Sequence, residues 1–261
     1  MESGKVPGRP GGLRMKISVI TVLYNEEFLL PFFLSHYNWA DEIRVLLDSD
    51  TTDRTPQICE ADPKVIVKEF TFPDMMDAII KQKHIHDLFY SLDCDWVIVA
   101  DCDEFIFPIP WKDQREAFQQ LNGDIATAHM WPVYRHESDG DLDPGLPAMW
   151  QRRHGDPDMN KGFNYAYIKP CIARPGTKVN WGLGCHNYHK KDGIIESDFM
   201  FYGAHWKMAD PELAIIRRIV NGKDRQSKSN LSSGYQIVDH NIDEQQIRDE
   251  CEKHLNDPRL F

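Results

Sequence analysis

Val97-Ile98-Val99-Ala100-Asp101-Cys102-Asp103-Glu104-Phe105 decides how the rest of the chain is read. Consecutive apolar residues, most of them β-branched, describe a strand buried on both faces. Carboxylates then follow within four positions. A lone carboxylate in a core costs several kcal/mol or takes up a proton, so the acids belong where the strand leaves the sheet. In open α/β sheets that edge is where ligands bind. If the backbone stays extended, Asp101 and Asp103 point the same way, because side chains alternate along a strand. Paired carboxylate oxygens at such an exit suit a hard divalent cation that also holds a phosphate. The plainer alternative is a strand end with solvated acids, Glu104 opening a turn.

Working outward from that stretch, the first hundred residues alternate strand and helix patterns. Ile17–Leu23 is apolar and β-branched. Tyr24-Asn25-Glu26-Glu27 interrupts it, with Asn25 placed to cap a following helix and the two glutamates favouring its positive end. Phe28–Trp39 is a buried helix with Pro31 in its first turn. Ile43–Leu47 is a second strand, ending in the polar run Asp48–Thr55 before a short helix, Pro56–Glu60. Val65–Phe70 is a third strand, and Asp74–Leu92 has helical spacing. Such β-α-β alternation predicts a parallel sheet flanked by helices. Lys112–Leu121 is a further helix.

The second half changes character. Ile125–Tyr134, Phe163–Ala173, Val179–Tyr188 and Phe199–Trp206 read as strands, with a Gly/Pro/Asp-rich insertion at Ser138–Pro147. Asp210-Pro211 opens a helix that Asn221-Gly222 stops. Lys223–Ser233 is polar and aperiodic, as a mobile loop would be, and Asp243–His254 is an amphipathic helix. No linker separates independent units. The expectation is a disordered arm over 1–14 and a single domain over 15–261, with a nucleotide-binding half (15–108) and a mixed-strand, acceptor-binding half (109–261).

Composition narrows the function classes. The chain has 261 residues, is 41% hydrophobic and 27% charged, and carries a formal net charge of -11. That length and apolar content support a sizeable core. Binding to duplex nucleic acid needs a basic stripe, so nucleic acid is not an expected partner. No apolar run reaches the length of a transmembrane helix. The N-terminal Gly/Pro/Arg-rich stretch lacks the apolar core of a secretory signal. The six cysteines form no CxxC pair. Core packing in a reducing, cytoplasmic compartment is the expectation.

The polar clusters after three strands, Tyr24–Glu27, Asp48–Thr55 and Asp101–Glu104, lie on one edge if the sheet is parallel. None contains a GxGxxG or GxxxxGK[ST] element. A phosphate-bearing ligand would then be held by a metal and by basic side chains rather than by a glycine cradle.

Val19–Glu26, Leu46–Thr55 and Asp101–Phe105 resemble the successive signatures of family 2-like glycosyltransferases with the GT-A fold. The second block is similar to that family's Asp-Asp-Gly-Ser-x-Asp-x-Thr element, with Ser49 for the second Asp and Asp50 for Gly. Leu29–Tyr37 resembles the branch whose first helix carries a leucine-proline, leucine, histidine pattern. The likeness covers residues 16–108 and extends more loosely to Gly203–Lys207. It implies a GT-A type fold: a Rossmann-like, mostly parallel central sheet flanked by helices, with a mixed-strand C-terminal half. It also implies a UDP-, GDP- or CDP-linked sugar donor, a glycan or other acceptor, and Mn²⁺ or Mg²⁺, with inversion at the anomeric centre. Asp48 would hold the nucleoside, with Tyr24, Asn25 and Glu26 lining the same pocket. Asp101 would contact ribose or metal, Asp103 would bind the metal, and His205 matches the family's later histidine ligand, with His186 as second choice. A zinc site at Cys185, His186 and His189 lacks the spacing to complete it.

Lys207, Arg217, Arg218, Lys223, Arg225 and Lys228 concentrate positive charge in an acidic chain. Lys207 and Arg217 are candidates to hold the donor diphosphate, with Lys223–Ser233 as a lid; a solvated helix face is the plain reading. An inverting transfer needs a base on the acceptor, and Glu137, Asp156 and Asp158 are the candidates. Two other readings remain open at this stage: a non-catalytic nucleotide- or sugar-binding module of the same fold, and a sugar nucleotidyltransferase. The latter would want a Gly-rich basic loop after the first strand, which Tyr24-Asn25-Glu26-Glu27 is not.

Overall fold

The structure is a computed structural model, and it describes residues 14–109, 113–157, 167–189, 193–232 and 241–261. Its centre is an 8-stranded sheet. In chain order the strands are β1 (Ile17–Leu23), β2 (Glu42–Asp48), β3 (Val65–Phe70), β4 (Trp96–Val99), β5 (Glu104–Phe107), β6 (Ile125–Tyr134), β7 (Ile168–Ala173) and β10 (Phe201–Met208). A separate two-stranded ribbon pairs β8 (Asn180–Trp181) with β9 (Tyr188–His189). The sheet order is β3-β2-β1-β4-β7-β6-β10-β5.

Strands β3, β2, β1 and β4 run parallel, linked by α1 (Leu30–His36), α2 (Thr55–Ala61) and α3 (Ala78–Ser91). Burial follows position in the sheet. Central β4 is buried at every residue, whereas edge strand β3 is largely exposed and carries Lys68 and Glu69, charges that discourage a further strand from pairing there. Past β4 the sheet becomes mixed. β7 runs antiparallel to both β4 and β6, β6 and β10 are parallel, and β5 closes the far edge antiparallel to β10. This is the GT-A type α/β arrangement implied by the resemblance. One apolar core, anchored by Phe32, Phe33, Trp96, Phe105, Phe118 and Trp206, runs through both halves.

Several expected elements are shorter or different. The first helix starts at Leu30 rather than Phe28, and its N-cap position is Leu29. Asn25 caps nothing: it sits in a left-handed turn (φ 50°), and its Oδ1 accepts from the amides of Thr52 at 2.8 Å and Asp53 at 3.3 Å. The strand expected over 179–188 is two short strands around a 3₁₀ turn, Leu183–Cys185. The front of the strand expected from Phe163 lies outside the described residues. The polar stretch expected to be a mobile loop forms a 3₁₀ turn, Lys223–Arg225, and a short helix, Lys228–Ser232, with Asn230 buried. All six cysteines are free. Among the described residues no helix is long and apolar enough to cross a membrane.

Candidate active site

Parallel pairing of β2, β1 and β4 puts their C-terminal ends on one edge. Tyr24 and Glu26 follow β1, Asp48 ends β2, and Asp101 and Asp103 follow β4. All of these line one cavity of about 500 Å³, together with Lys81 from α3, Lys169 from β7, His186, and His205 and Lys207 from β10. A helix after β10 completes the wall with Arg217, Arg218 and Asn221, and the turn beyond it with Arg225. The Asp48 and Asp103 side chains are 1% and 5% exposed, so each needs a charged or hydrogen-bonded partner.

The carboxylates after β4 do not lie in extended backbone. The Glu104 amide donates to the Asp101 carbonyl at 2.9 Å, closing a turn between β4 and β5. Strand alternation therefore does not apply, and the two aspartates have different partners. Lys81 Nζ donates to Asp101 Oδ1 at 2.9 Å, and Lys169 Nζ is 3.7 Å from Oδ2. Asp103 Oδ2 takes Arg217 at 2.5 Å and has His205 Nε2 at 3.3 Å. Glu104 is no solvated turn acid: it opens β5, accepts from Lys169, and its Oε2 takes the Asp101 amide at 3.1 Å.

Electrostatics keep both aspartates charged. Burial raises the Asp101 carboxyl, but Lys81 and Lys169 outweigh it and hold it well below the usual carboxylate range. Asp103 is likewise depressed, by Arg217 and His205 against burial. For Glu26 the balance reverses: burial pushes its carboxyl up even though Arg217 donates to both of its oxygens. Burial also raises the Cys102 thiol well above its ordinary value.

At the β2 end, Arg225 donates to Asp48 Oδ2 at 2.7 Å, and its guanidinium carbon lies 3.4 Å from the centre of the Tyr24 ring. Asp48 Oδ1 accepts the Asp50 amide at 3.1 Å. One end of the cavity thus offers an aromatic face beside a buried carboxylate. The other offers Asp103 beside an imidazole.

Of the sequence candidates, Tyr24, Glu26, Asp48, Asp101, Asp103, His186, His205, Lys207 and Arg217 come together around this cavity. Asn25 does not line it; its side chain pins the loop after β2 instead. Glu137 and Asp156 also lie outside the lining, the Glu137 amide bonding the Leu255 carbonyl. Asp158 lies outside the described residues. Trp181 and Tyr134, aromatic residues of the second half, are buried in the core. Lys81 and Lys169 were not singled out by the sequence. The only signal for Lys169 is a lone lysine inside the apolar run Ile168–Ala173.

Among the described residues no group of three or more His, Cys, Asp or Glu side chains is gathered to hold a metal. The chemistry of Asp103 with His205, one ionised oxygen ligand and one imidazole facing the cavity, nevertheless suits Mn²⁺ or Mg²⁺. Such ions at phosphate sites use one or two protein ligands and take the rest from phosphate oxygens and water.

No family model matches the chain. Among solved structures it is similar to S. aureus TarS 1-349, at 16% identity and TM-score 0.42, over 93% of this chain and 71% of that one. It is also similar to glucosyl-3-phosphoglycerate synthase from Mycobacterium tuberculosis, in complex with Mn²⁺, UDP and phosphoglyceric acid, at 16% identity and TM-score 0.31. That match covers 45% of this chain and 43% of the synthase, so the chain spans less than half of the synthase's length. A third similarity, to 4-diphosphocytidyl-2C-methyl-D-erythritol synthase, has 16% identity and TM-score 0.35 over 63% and 78% of the two chains. At these identities and scores no residue role or activity passes to this chain.

Proposed function

We propose that this chain is a glycosyltransferase that moves a sugar from a nucleoside-diphosphate donor to an acceptor, using Mn²⁺ or Mg²⁺. The observation that carries the reading is that Asp48 and Asp103, from separate strand exits, open onto the same cavity. Tyr24 and Asp48 provide for the nucleoside. Asp103 and His205 would hold the metal, which supplies charge neutralisation to the departing diphosphate. Lys207 and Arg217 would bind the phosphate oxygens of the donor. Asp101, tied to Lys81 and Lys169, would contact the ribose or the metal. The base that activates the acceptor is proposed among Glu137, Asp156 and Asp158.

Calorimetry with UDP, GDP and CDP, with and without Mn²⁺, tests the reading. One nucleotide should bind in a metal-dependent way, and Asp103→Asn should remove that dependence. Release of nucleoside diphosphate from the matching sugar donor separates a transferase from a binding module of the same fold. Metal-independent binding of every nucleotide, with no donor turnover, would overturn the proposal.

A further inference from the structure

The cavity is crossed by a strap of the chain's own backbone. The helix that opens at Pro211 widens at Ile216–Val220 into a π turn, in which the Asn221 amide reaches the Ile216 carbonyl at 2.8 Å. Such turns are frequent at functional sites. This one sends Arg217 inward to Glu26 and Asp103, while Asn221 Nδ2 donates to the Asn25 carbonyl at 3.2 Å. Gly222 fits the tight exit: a Cβ there would sit 2.8 Å from the Arg217 carbonyl oxygen. Three residues later Arg225 reaches Asp48 and Tyr24. The far end is tied down, with the Met76 amide donating to the Arg225 carbonyl at 2.8 Å and the Ser227 amide to the Met76 carbonyl at 3.0 Å. One short segment therefore holds both carboxylates that the proposed function assigns to metal and nucleoside.

We propose that residues 216–227 form a latch: Arg217 and Arg225 occupy Asp103 and Asp48 in the free protein, and the nucleotide opens it by exchanging partners. This rests on the donor reading above. The Arg225 guanidinium is flat, carries N–H groups, stacks on Tyr24 and bonds Asp48 with its edge. A nucleobase would need that same ring face and carboxylate, so the two alternate. The exchange leaves little net charge stranded. Before it, each buried carboxylate faces a guanidinium. Afterwards Asp103 faces a divalent cation, Asp48 a base N–H, and the Arg217 guanidinium phosphate oxygens, which it binds well, while the Arg225 guanidinium turns out to water and makes no contact with the nucleotide. Binding is then weakened by the fraction of protein that is latched.

Two measurements on the full chain test this. Hydrogen exchange of the free protein should show the Met76 and Ser227 amides protected in the wild type. In Arg225→Ala they should exchange at least about tenfold faster, with β1 and β2 unchanged. Titration with UDP, GDP and CDP in the presence of Mn²⁺ should show Arg225→Ala binding the preferred nucleotide at least about threefold more tightly than the wild type. Arg225→Gln, planar but uncharged, replaces Arg225→Ala if β1 and β2 lose protection. Unchanged strap exchange, or weaker nucleotide binding by the variant, overturns the latch while leaving the donor reading in place. If neither protein binds any of the three nucleotides, the donor reading falls and takes the latch with it.

Discussion

Lys169 donates to Glu104 with both side chains almost wholly inside the protein, 4% and 2% exposed. The lysine comes from β7 and the glutamate from the start of β5, and Asp101 Oδ2 lies 3.7 Å from the same ammonium. Burial alone would lower the Lys169 pKa, but Glu104 and Asp101 outweigh it and raise it. The ammonium therefore fixes the turn on which both aspartates after β4 are carried.

Removing one member of that pair strands the other. Lys169→Met should destabilise the fold by about 3–5 kcal/mol. The double variant Lys169→Met/Glu104→Gln should cost clearly less than Lys169→Met alone, because no bare carboxylate remains at Glu104. Urea unfolding of the single and double variants measures the difference, and a double variant as unstable as the single one would contradict the pairing.

Asp101 and Asp103 should not behave alike. Asp103→Asn removes a carboxylate that shares the cavity with His205, and Mn²⁺-dependent nucleotide affinity should fall at least about tenfold. Asp101→Asn mainly frees Lys81 and Lys169, and should change the Mn²⁺ requirement much less than it changes nucleotide affinity. Titrating Mn²⁺ at fixed nucleotide concentration distinguishes the two.

His36 gives a pH dependence with a definite sign. Its Nε2 lies 2.8 Å from the Ile106 carbonyl oxygen, and its ring packs edge-on to Phe105. Burial pulls its pKa down from 6.5 to about 4. A folded value below the unfolded one means that the unfolded chain takes the proton first as pH falls. The neutral ring's full contribution is present above about pH 6.5 and is lost as pH drops toward 4. Relative to His36→Gln, the wild type should lose about 2 kcal/mol of stability between pH 7.5 and pH 5. Denaturant melts of both proteins at the two pH values supply the number, and a difference that does not shrink on acidification would refute it.

Asn25 should matter for folding more than for chemistry. Asn25→Ala loses the hydrogen bonds to the Thr52 and Asp53 amides and places an alanine at positive φ, for a cost of about 2 kcal/mol. Asn25→Gly loses the same bonds but relaxes the backbone, and should cost less. Thermal unfolding of the two variants gives the order.

The sequence was most legible where one local pattern settles the structure. Ile17–Leu23 and Ile125–Tyr134 are found as strands with the boundaries that their apolar runs suggest. Parallel order then follows from the β-α-β alternation, and with it the shared edge for Tyr24, Asp48 and Asp103. What sequence concealed depends on partners far along the chain. Asn25-Glu26-Glu27 looks like a cap, but the Asn25 partner is Thr52. Lys169 looks like an outward strand lysine, but Glu104 lies 65 positions away. The turn at Asp101–Glu104 escaped because alternation presumes a strand, and nothing in Asp-Cys-Asp announces where extension stops. The order of 223–232 escaped for a similar reason: polar residues without periodicity read as loop, yet Asn230 is buried by bonding Ala78 and Met76.

The insertion of β7 between β4 and β6 has a consequence for dissecting this protein. Trp96–Val99 is flanked by β1 on one side and by Ile172 and Ala173 on the other, so the neighbour that shields it is made some seventy residues later. A fragment ending near residue 108 would present Trp96–Val99 as a bare apolar border, ready to pair with another copy. Attempts to express residues 15–108 alone should yield aggregates rather than a smaller working protein, since the sheet is woven from both parts of the chain.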